Sequence, residues 1–219
     1  MSEKFLVLAT GNKGKVLEFQ TLLAPGNFTL LTPKDIGFDS DIDETGTTFE
    51  ANALIKADAL ANHMVAQGLP LYPVLSDDSG IIVDALGGAP GIYSARYAQD
   101  EMEINPEKEP IRPDIANRRK LLRELKVSEL KAAEMKARAA RFYCVLCYLS
   151  PGKGPQFFSG TCEGKVAEEE SGSGGFGYDP IFIPEGYGKT FGELAEEVKD
   201  QLSHRAKAVG KFLEADHSS

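Results

Sequence analysis

Short apolar, strand-like segments alternate with stretches of helical periodicity in the first part of the chain. Two strand-like runs joined by a proline-glycine turn come later. Phe5 to Ala9 is strand-like, the glycines Gly11 and Gly14 interrupt it, and Val16, Phe19, Leu22 and Leu23 recur at helical spacing until Pro25 and Gly26. Phe28 to Leu31 reads as a second strand. From Thr47 to Gln67 the positions Phe49, Ala53, Ala57, Leu60 and Met64 mark a long helix, stopped by Gly68 and Pro70. Val74-Leu75 and Ile81 to Val83 are strand-like and flank Ser76-Asp77-Asp78-Ser79-Gly80, which is expected to form a bend between two strands. Gln99 to Pro113, polar and broken by prolines, is expected to be a surface loop. Helix is predicted from Asp114 to Leu125 and over part of Ser128 to Ala139. Phe142 to Leu149 and Gln156 to Val166 flank Pro151-Gly152-Lys153-Gly154-Pro155 as a hairpin. A last helix capped by Ser203 buries Val209, Phe212 and Leu213. This order predicts an α/β fold, a mixed sheet flanked by helices, within a single domain spanning residues 1–219.

The chain of 219 residues is 42% hydrophobic, enough for a sizeable core. Lys and Arg total 24 against 33 Asp and Glu, and the resulting net charge of -9 argues against a nucleic-acid polymer as partner. It does not exclude a nucleotide, because a few cations and backbone N–H groups outweigh the average field at contact distance. With no signal-like opening and no stretch of membrane-spanning length, a cytoplasmic protein without a membrane partner is expected. Cys144 and Cys147 have redox or zinc spacing. On a strand, residues three apart face opposite sides, so buried, inert thiols are expected.

Five groups of residues carry candidate chemistry. Thr10-Gly11-Asn12-Lys13-Gly14-Lys15 follows a strand and opens a helix, an arrangement suited to phosphate or to a plain glycine turn; its glycine spacing is not that of a Walker A loop. Asp77-Asp78 and Glu44 offer hard oxygen ligands for magnesium, or else a solvated acidic turn. Asn52 and Lys56 share a helix face, as cleft residues or as an ordinary helix boundary. In Ser171 to Pro180, the G-x-G-x-x-G leads into a strand rather than a helix, which rules out a dinucleotide fingerprint. What remains is a glycine loop carrying Phe176 and Tyr178, for stacking on a base or for structure alone. Ser203-His204-Arg205 opens the last helix, where cations oppose the dipole unless an anion or a carbonyl-bearing ligand compensates.

In order along the chain, the Thr10–Lys15 segment, Glu44-Thr45-Gly46, Phe49 with Asn52-Ala53 and Lys56-Ala57, Ser76 to Gly80, Gly87 to Arg96, Gly174 to Pro180 and Ser203 to Arg205 resemble the inosine triphosphate pyrophosphatases, the Ham1-like family. The resemblance favours the functional readings. It implies an elongated fold with two lobes and a central substrate cleft, a homodimer, a Mg2+ requirement, and hydrolysis of ITP, dITP and XTP to monophosphate and pyrophosphate. By position it implies that Thr10, Gly11, Asn12, Lys13, Gly14, Lys15 and Lys56 hold the triphosphate, and that Glu44 and Asp78 serve the metal, with Asp78 the catalytic base. It further implies that Ser79, Phe176, Gly177, Tyr178, Asp179, Lys199, His204 and Arg205 contact substrate, the later ones around the base. The acid often found before the helix asparagine is here Ala51, and Glu50, one residue earlier, is left out of the metal set. Two other readings stay open: a pyrophosphatase for pyrimidine or modified nucleotides, and a non-catalytic nucleotide-binding regulator.

Overall fold

A computed structural model describes residues 4–104, 112–131 and 138–217. Its strands are β1 (Lys4–Leu8), β2 (Phe28–Leu31), β3 (Val74–Val83), β4 (Ala139–Leu149), β5 (Gln156–Val166) and β6 (Phe182–Pro184). They form a six-stranded sheet in the order β2-β1-β3-β4-β5-β6. Strand β1 runs parallel to β2 and β3, with Val7 opposite Val74, and β5 is antiparallel to β6, so the sheet is mixed as expected. The helices are α1 (Lys13–Leu23), α2 (Phe49–Ala66), α3 (Gln99–Ile104), α4 (Pro113–Lys131), α5 (Glu196–Leu202) and α6 (His204–His217). Among the described residues, no helix is long and apolar enough to cross a membrane.

Two expectations about local structure are corrected. The acidic pair does not sit at a bend: β3 runs unbroken through Asp77 and Asp78. Asp-Asp-Ser-Gly is good turn chemistry, but buried partners on both sides of the strand override that local preference. The expected loop from Gln99 to Pro113 is helical at its start, as α3. Asp100 and Glu101 lie in its first turn, where they suit the helix dipole, and they pair with Lys120 and Arg123 of α4. Residues 105–111 and 132–137 lie outside the described residues. Helix α4 carries on past Leu125 to Lys131, and β4 opens at Ala139.

The single domain expected from the sequence divides by its contacts into two compact units, and β3, β4 and β5 contribute residues to each. Unit 1 runs to Asp78 and adds Cys144–Gly160 and the chain from His204; unit 2 comprises Ser79–Tyr143 and Thr161–Ser203.

In unit 1, one face of the sheet packs Leu6, Leu8, Leu75, Cys144 and Leu146 against Phe19 and Leu23 of α1 and Ala208, Val209 and Phe212 of α6. The alternate residues Val7, Val74, Val145 and Cys147, also buried, point the other way. That second face carries Ser76, whose hydroxyl donates to the Ala53 carbonyl of α2 at 2.6 Å. Helix α2 starts at an extended Thr48, whose side chain accepts from the Ala51 N–H, and buries Ala53, Ala57, Leu60 and Met64 along one stripe. Cys144 and Cys147 are buried free thiols on opposite faces, as expected. Burial pushes the Cys147 thiol up to about 12, with Asp58 adding to the rise. Unit 2 has its own core, in which Leu121 and Leu125 of α4 meet Ile81, Phe142, Tyr178, Phe182 and Phe191.

Gly160 of β5 lies against the first turn of α6. A Cβ there would overlap the His204 carbonyl oxygen and sit 2.7 Å from the Ala208 nitrogen. Gly160→Ala is expected to cost about 1–3 kcal/mol by overpacking. The readout is a lowered urea midpoint at unchanged m-value, and a wild-type midpoint would show that α6 does not hold this position.

Candidate active site

Strand alternation turns the two acids of β3 to opposite faces. Asp77 shares the α1/α6 face with Leu75, and its Oδ1 accepts from Lys15 Nζ at 2.6 Å. Its Oδ2 accepts from Arg205 Nε at 3.2 Å, and Arg205 Nη1 reaches Glu18 Oε2 at 2.8 Å. A chain of alternating charge, Lys15–Asp77–Arg205–Glu18, therefore runs through the interior of unit 1. Burial works to raise the Asp77 pKa, but Lys15, Arg205 and Lys56 outweigh it and hold the carboxyl far below its ordinary value. Burial likewise opposes the charge on Arg205, and Glu18 and Asp77 more than restore it.

Asp78 faces α2 with Ser76. Its Oδ1 accepts from Lys56 Nζ at 2.9 Å, its Oδ2 from Asn52 Nδ2 at 3.3 Å, and Lys56 Nζ also donates to Glu44 Oε1 at 3.0 Å. Burial raises the Asp78 pKa, and Glu44 and Asp77 add to the rise; Lys56 offsets only part of it. Lys56 pays for its own burial through Asp78, Asp77 and Glu44, which together raise its pKa. Asn52 is fully buried, and its Oδ1 accepts the Gly46 N–H at 2.8 Å. A Cβ on Gly46 would come 2.6 Å from that same oxygen, so glycine is required there. Asn52 thus ties the segment bearing Glu44 to the strand bearing Asp78.

The Thr10–Lys15 segment becomes the start of α1. Asn12 is the N-cap, and its Oδ1 accepts from the Lys15 N–H at 3.2 Å, while Thr10 Oγ1 accepts from the Asn12 N–H at 3.2 Å. Lys13 and Gly14 lie in the first turn. A Cβ at Gly11 would meet no atom within 4 Å, so packing does not demand glycine there, and close approach of a ligand would.

In unit 2 the expected substrate residues gather at a tight turn. Asp179 Oδ2 accepts from the Phe176 N–H and from Lys199 Nζ, both at 2.8 Å, and Lys199 Nζ lies 4.6 Å from the centre of the Phe176 ring. Gly175 and Gly177 have φ of +69° and +59°, which favours glycine at both. Tyr178 is a core residue whose hydroxyl donates to the Ser94 carbonyl at 2.8 Å, so Phe176 is the aromatic of this loop placed beside the charged pair. Ser79 follows Asp78 on β3 and is half-buried, and His204 is buried at the start of α6.

The structure therefore brings Glu44, Lys56 and Asp78 together, and it sets Lys15 on the neighbouring Asp77. It also changes the account of Arg205: Glu18 and Asp77 compensate the cation at the start of α6, a role the sequence reading left to an anion or a carbonyl-bearing ligand. Glu18 was not a candidate. Its place three residues after Lys15 is equally normal on an exposed helix face, so the sequence holds no signal for it.

Among the described residues no group of three His, Cys, Asp or Glu side chains is placed to hold a metal ion. Magnesium, however, takes one or two carboxylates and completes its shell with water and phosphate oxygens. Glu44 and Asp78, which already converge on one cationic group, fit that requirement. Among the described ion pairs, Glu18, Glu44, Asp77 and Asp78 meet Lys15, Lys56 and Arg205, four carboxylates with three cations.

Comparison with known proteins places these features in a family. The Ham1 family model matches residues 6–215. A dITP/XTP pyrophosphatase from Bacillus subtilis is 43% identical over 215 residues, covering 97% of this chain and 98% of its own. One of the same name from Halalkalibacterium halodurans is 44% identical over 203 residues, 93% of this chain and 94% of its own. The solved structure of a Ham1 protein from Staphylococcus aureus superposes with a TM-score of 0.77 at 35% identity, over 98% of this chain and 99% of that one. A HAM1 protein from Coxiella burnetii gives 0.79 at 33%, over 99% and 100%.

The opposite pKa shifts of the two acids predict unequal effects on stability. A lowered carboxyl pKa adds stability above the ordinary value near 4 and loses it as pH falls through the folded value; a raised one subtracts stability once the group ionises. At neutral pH, Asp77→Asn is expected to cost about 3–5 kcal/mol, because Lys15 and Arg205 lose a buried partner. Asp78→Asn is expected to cost clearly less, because Lys56 keeps Glu44 as a partner and loss of the burial penalty on an ionised Asp78 offsets part of the lost pairing. Equal loss in both variants, read by calorimetry, would show that the acids do not differ in this way.

Proposed function

Since the chain belongs to the Ham1 family, we propose that it hydrolyses non-canonical purine nucleoside triphosphates (ITP, dITP and XTP) to the monophosphate and pyrophosphate. The observation that carries this reading is the convergence of the Glu44 and Asp78 carboxylates on Lys56 Nζ, beside an Asp77 that anchors Lys15 at the start of α1. Two acids at a single cationic position, next to a capped helix start with an open glycine, suit a polyphosphate accompanied by a divalent cation.

Each residue has a physical role in this reaction. Backbone N–H groups at the start of α1, with Lys13 and Lys15, receive phosphate oxygens, and Gly11 lets the backbone come close. Lys56 holds the triphosphate against Asp78. The oxygen of a water attacks the α-phosphorus in line, the bond from that phosphorus to the bridging oxygen breaks, and pyrophosphate leaves. Asp78 takes the proton of the attacking water at a carboxylate oxygen. Glu44 and Asp78 would hold Mg2+, which would supply charge neutralisation for the departing pyrophosphate. The Phe176–Asp179 turn offers a ring face and a carboxylate to a purine, and Lys199 holds the Asp179 carboxylate in place. Catalysis is mainly positioning and electrostatic stabilisation. The enzyme acts in the cytoplasm as a homodimer, a reading supported by the family resemblance.

The test is magnesium-dependent pyrophosphate release from ITP, dITP, XTP, dUTP and the four common ribonucleoside triphosphates. The first three are expected to be turned over far faster than the rest. Asp78→Asn is expected to lower kcat by about 10²–10⁴-fold with KM little changed, as for loss of a general base. Preferential turnover of dUTP would point instead to a pyrimidine pyrophosphatase, and absence of release from every triphosphate to a binding protein.

A further inference from the structure

Each residue from Phe176 to Asp179 is held by a different group. The Phe176 N–H is capped by Asp179, the Tyr178 hydroxyl is fixed on the Ser94 carbonyl, and the Asp179 carboxylate is paired with Lys199. The remaining hold is on the Gly177 carbonyl, which accepts from Arg118 Nη1 of α4 at 2.7 Å. Arg118 has only 8% of its side chain exposed. Its Nη2 meets Glu170 Oε2 at 2.9 Å, and its Nη1 lies 3.3 Å from Asp114 Oδ2 one helical turn back. The equally buried Nε has no hydrogen-bond partner among the described residues.

A buried guanidinium with an unmet donor is a costly way to pack a helix against a loop, since an apolar side chain of similar size would do so without desolvating a charge. What the guanidinium adds is a rigid fork that reaches a carbonyl and two carboxylates at defined angles. The carbonyl it holds belongs to the peptide between Gly177 and Tyr178, with Gly177 in the left-handed region, where glycine also has the most freedom to turn away. Rotation of that peptide would swing the Phe176 ring and the Asp179 carboxylate together, because Asp179 is bonded to the Phe176 N–H.

We propose that Arg118 is a positioning residue for purine recognition: by holding the Gly177 carbonyl it fixes the plane of the Phe176 ring and the direction of the Asp179 carboxylate. This inference rests on the reading that the turn contacts the base. Neither the sequence motifs nor the family resemblance singles out Arg118, which lies in the second turn of a charged helix.

The experiment compares wild type with Arg118→Met and Arg118→Lys in the full chain. Two quantities are measured: amide hydrogen exchange over residues 174–179, and kcat and KM for dITP with magnesium. Arg118→Met is expected to speed exchange in the turn at least several-fold and to raise KM about tenfold, with kcat within about threefold of wild type. Arg118→Lys keeps the charge but only one donor position, so it is expected to fall between the two and to remain folded. Unchanged exchange in both variants, or kcat and KM worsening together in step with a lower thermal midpoint, would overturn the positioning role. Faster exchange with an unchanged KM would overturn it as well, because the turn would then be loosened without effect on the substrate. A wild-type enzyme with no activity on any triphosphate would defeat the functional reading itself, whereas an active wild type with variants unchanged in exchange would defeat only the role of Arg118.

Discussion

Strand β3 takes two consecutive carboxylates out of water, and strand geometry sends them to opposite faces. Neither could remain ionised without a partner, since the desolvation of an isolated carboxylate far exceeds what one domain can sustain. The partners must therefore come from whichever helix covers each face. On one side these are Lys15 from the first turn of α1 and Arg205 from the first turn of α6; on the other, Lys56 and Asn52 from α2. The placement of three helix segments in unit 1 is thus coupled to a pair of adjacent residues in one strand.

The two faces are balanced differently, and that difference separates structural work from chemistry. Asp77 has two cations of its own, and the second of these, Arg205, is balanced in turn by Glu18, so its charge is fully compensated and its pKa lies far below the ordinary range. Asp78 shares a single ammonium with Glu44, and burial raises its pKa. A carboxylate held that way has a demand for positive charge left over, the property that the proposed metal site needs.

Much of this was legible in residue order, and the gaps have specific causes. The strands and long helices followed from apolar period. The acidic pair was misplaced onto a bend because Asp, Ser and Gly favour turns locally, whereas the cations that straighten the segment into a strand lie up to 128 positions away in sequence. Glu18 carries no local mark of burial, since a glutamate three residues after a lysine is normal on an exposed helix face; it is buried because Arg205 arrives from the last helix. Arg118 was invisible for a similar reason. Nothing in Asn-Arg-Arg-Lys separates the one arginine that turns inward toward the glycine turn from its neighbours. In each case the deciding contact joins segments far apart in sequence, where neither propensity nor spacing carries information.

The charge pattern also explains why a cation belongs in the proposed reaction. Lys15 and Lys56, the lysines nearest the acids, are each already bonded to a carboxylate, so an incoming triphosphate meets a region whose positive charge is largely spent. Phosphate oxygens drawn to these lysines would also face Glu44 and Asp78 at short range, where repulsion in a partly buried site is much stronger than in water. In the proposed reaction a divalent cation at those two acids would reverse the balance. Glu44 and Asp78 would then be neutralised and Lys56 freed to serve the phosphates, while the Asp77 network, which keeps α1 and α6 in place, would be undisturbed. The acids alone would repel the substrate; with the ion they would become part of its binding site.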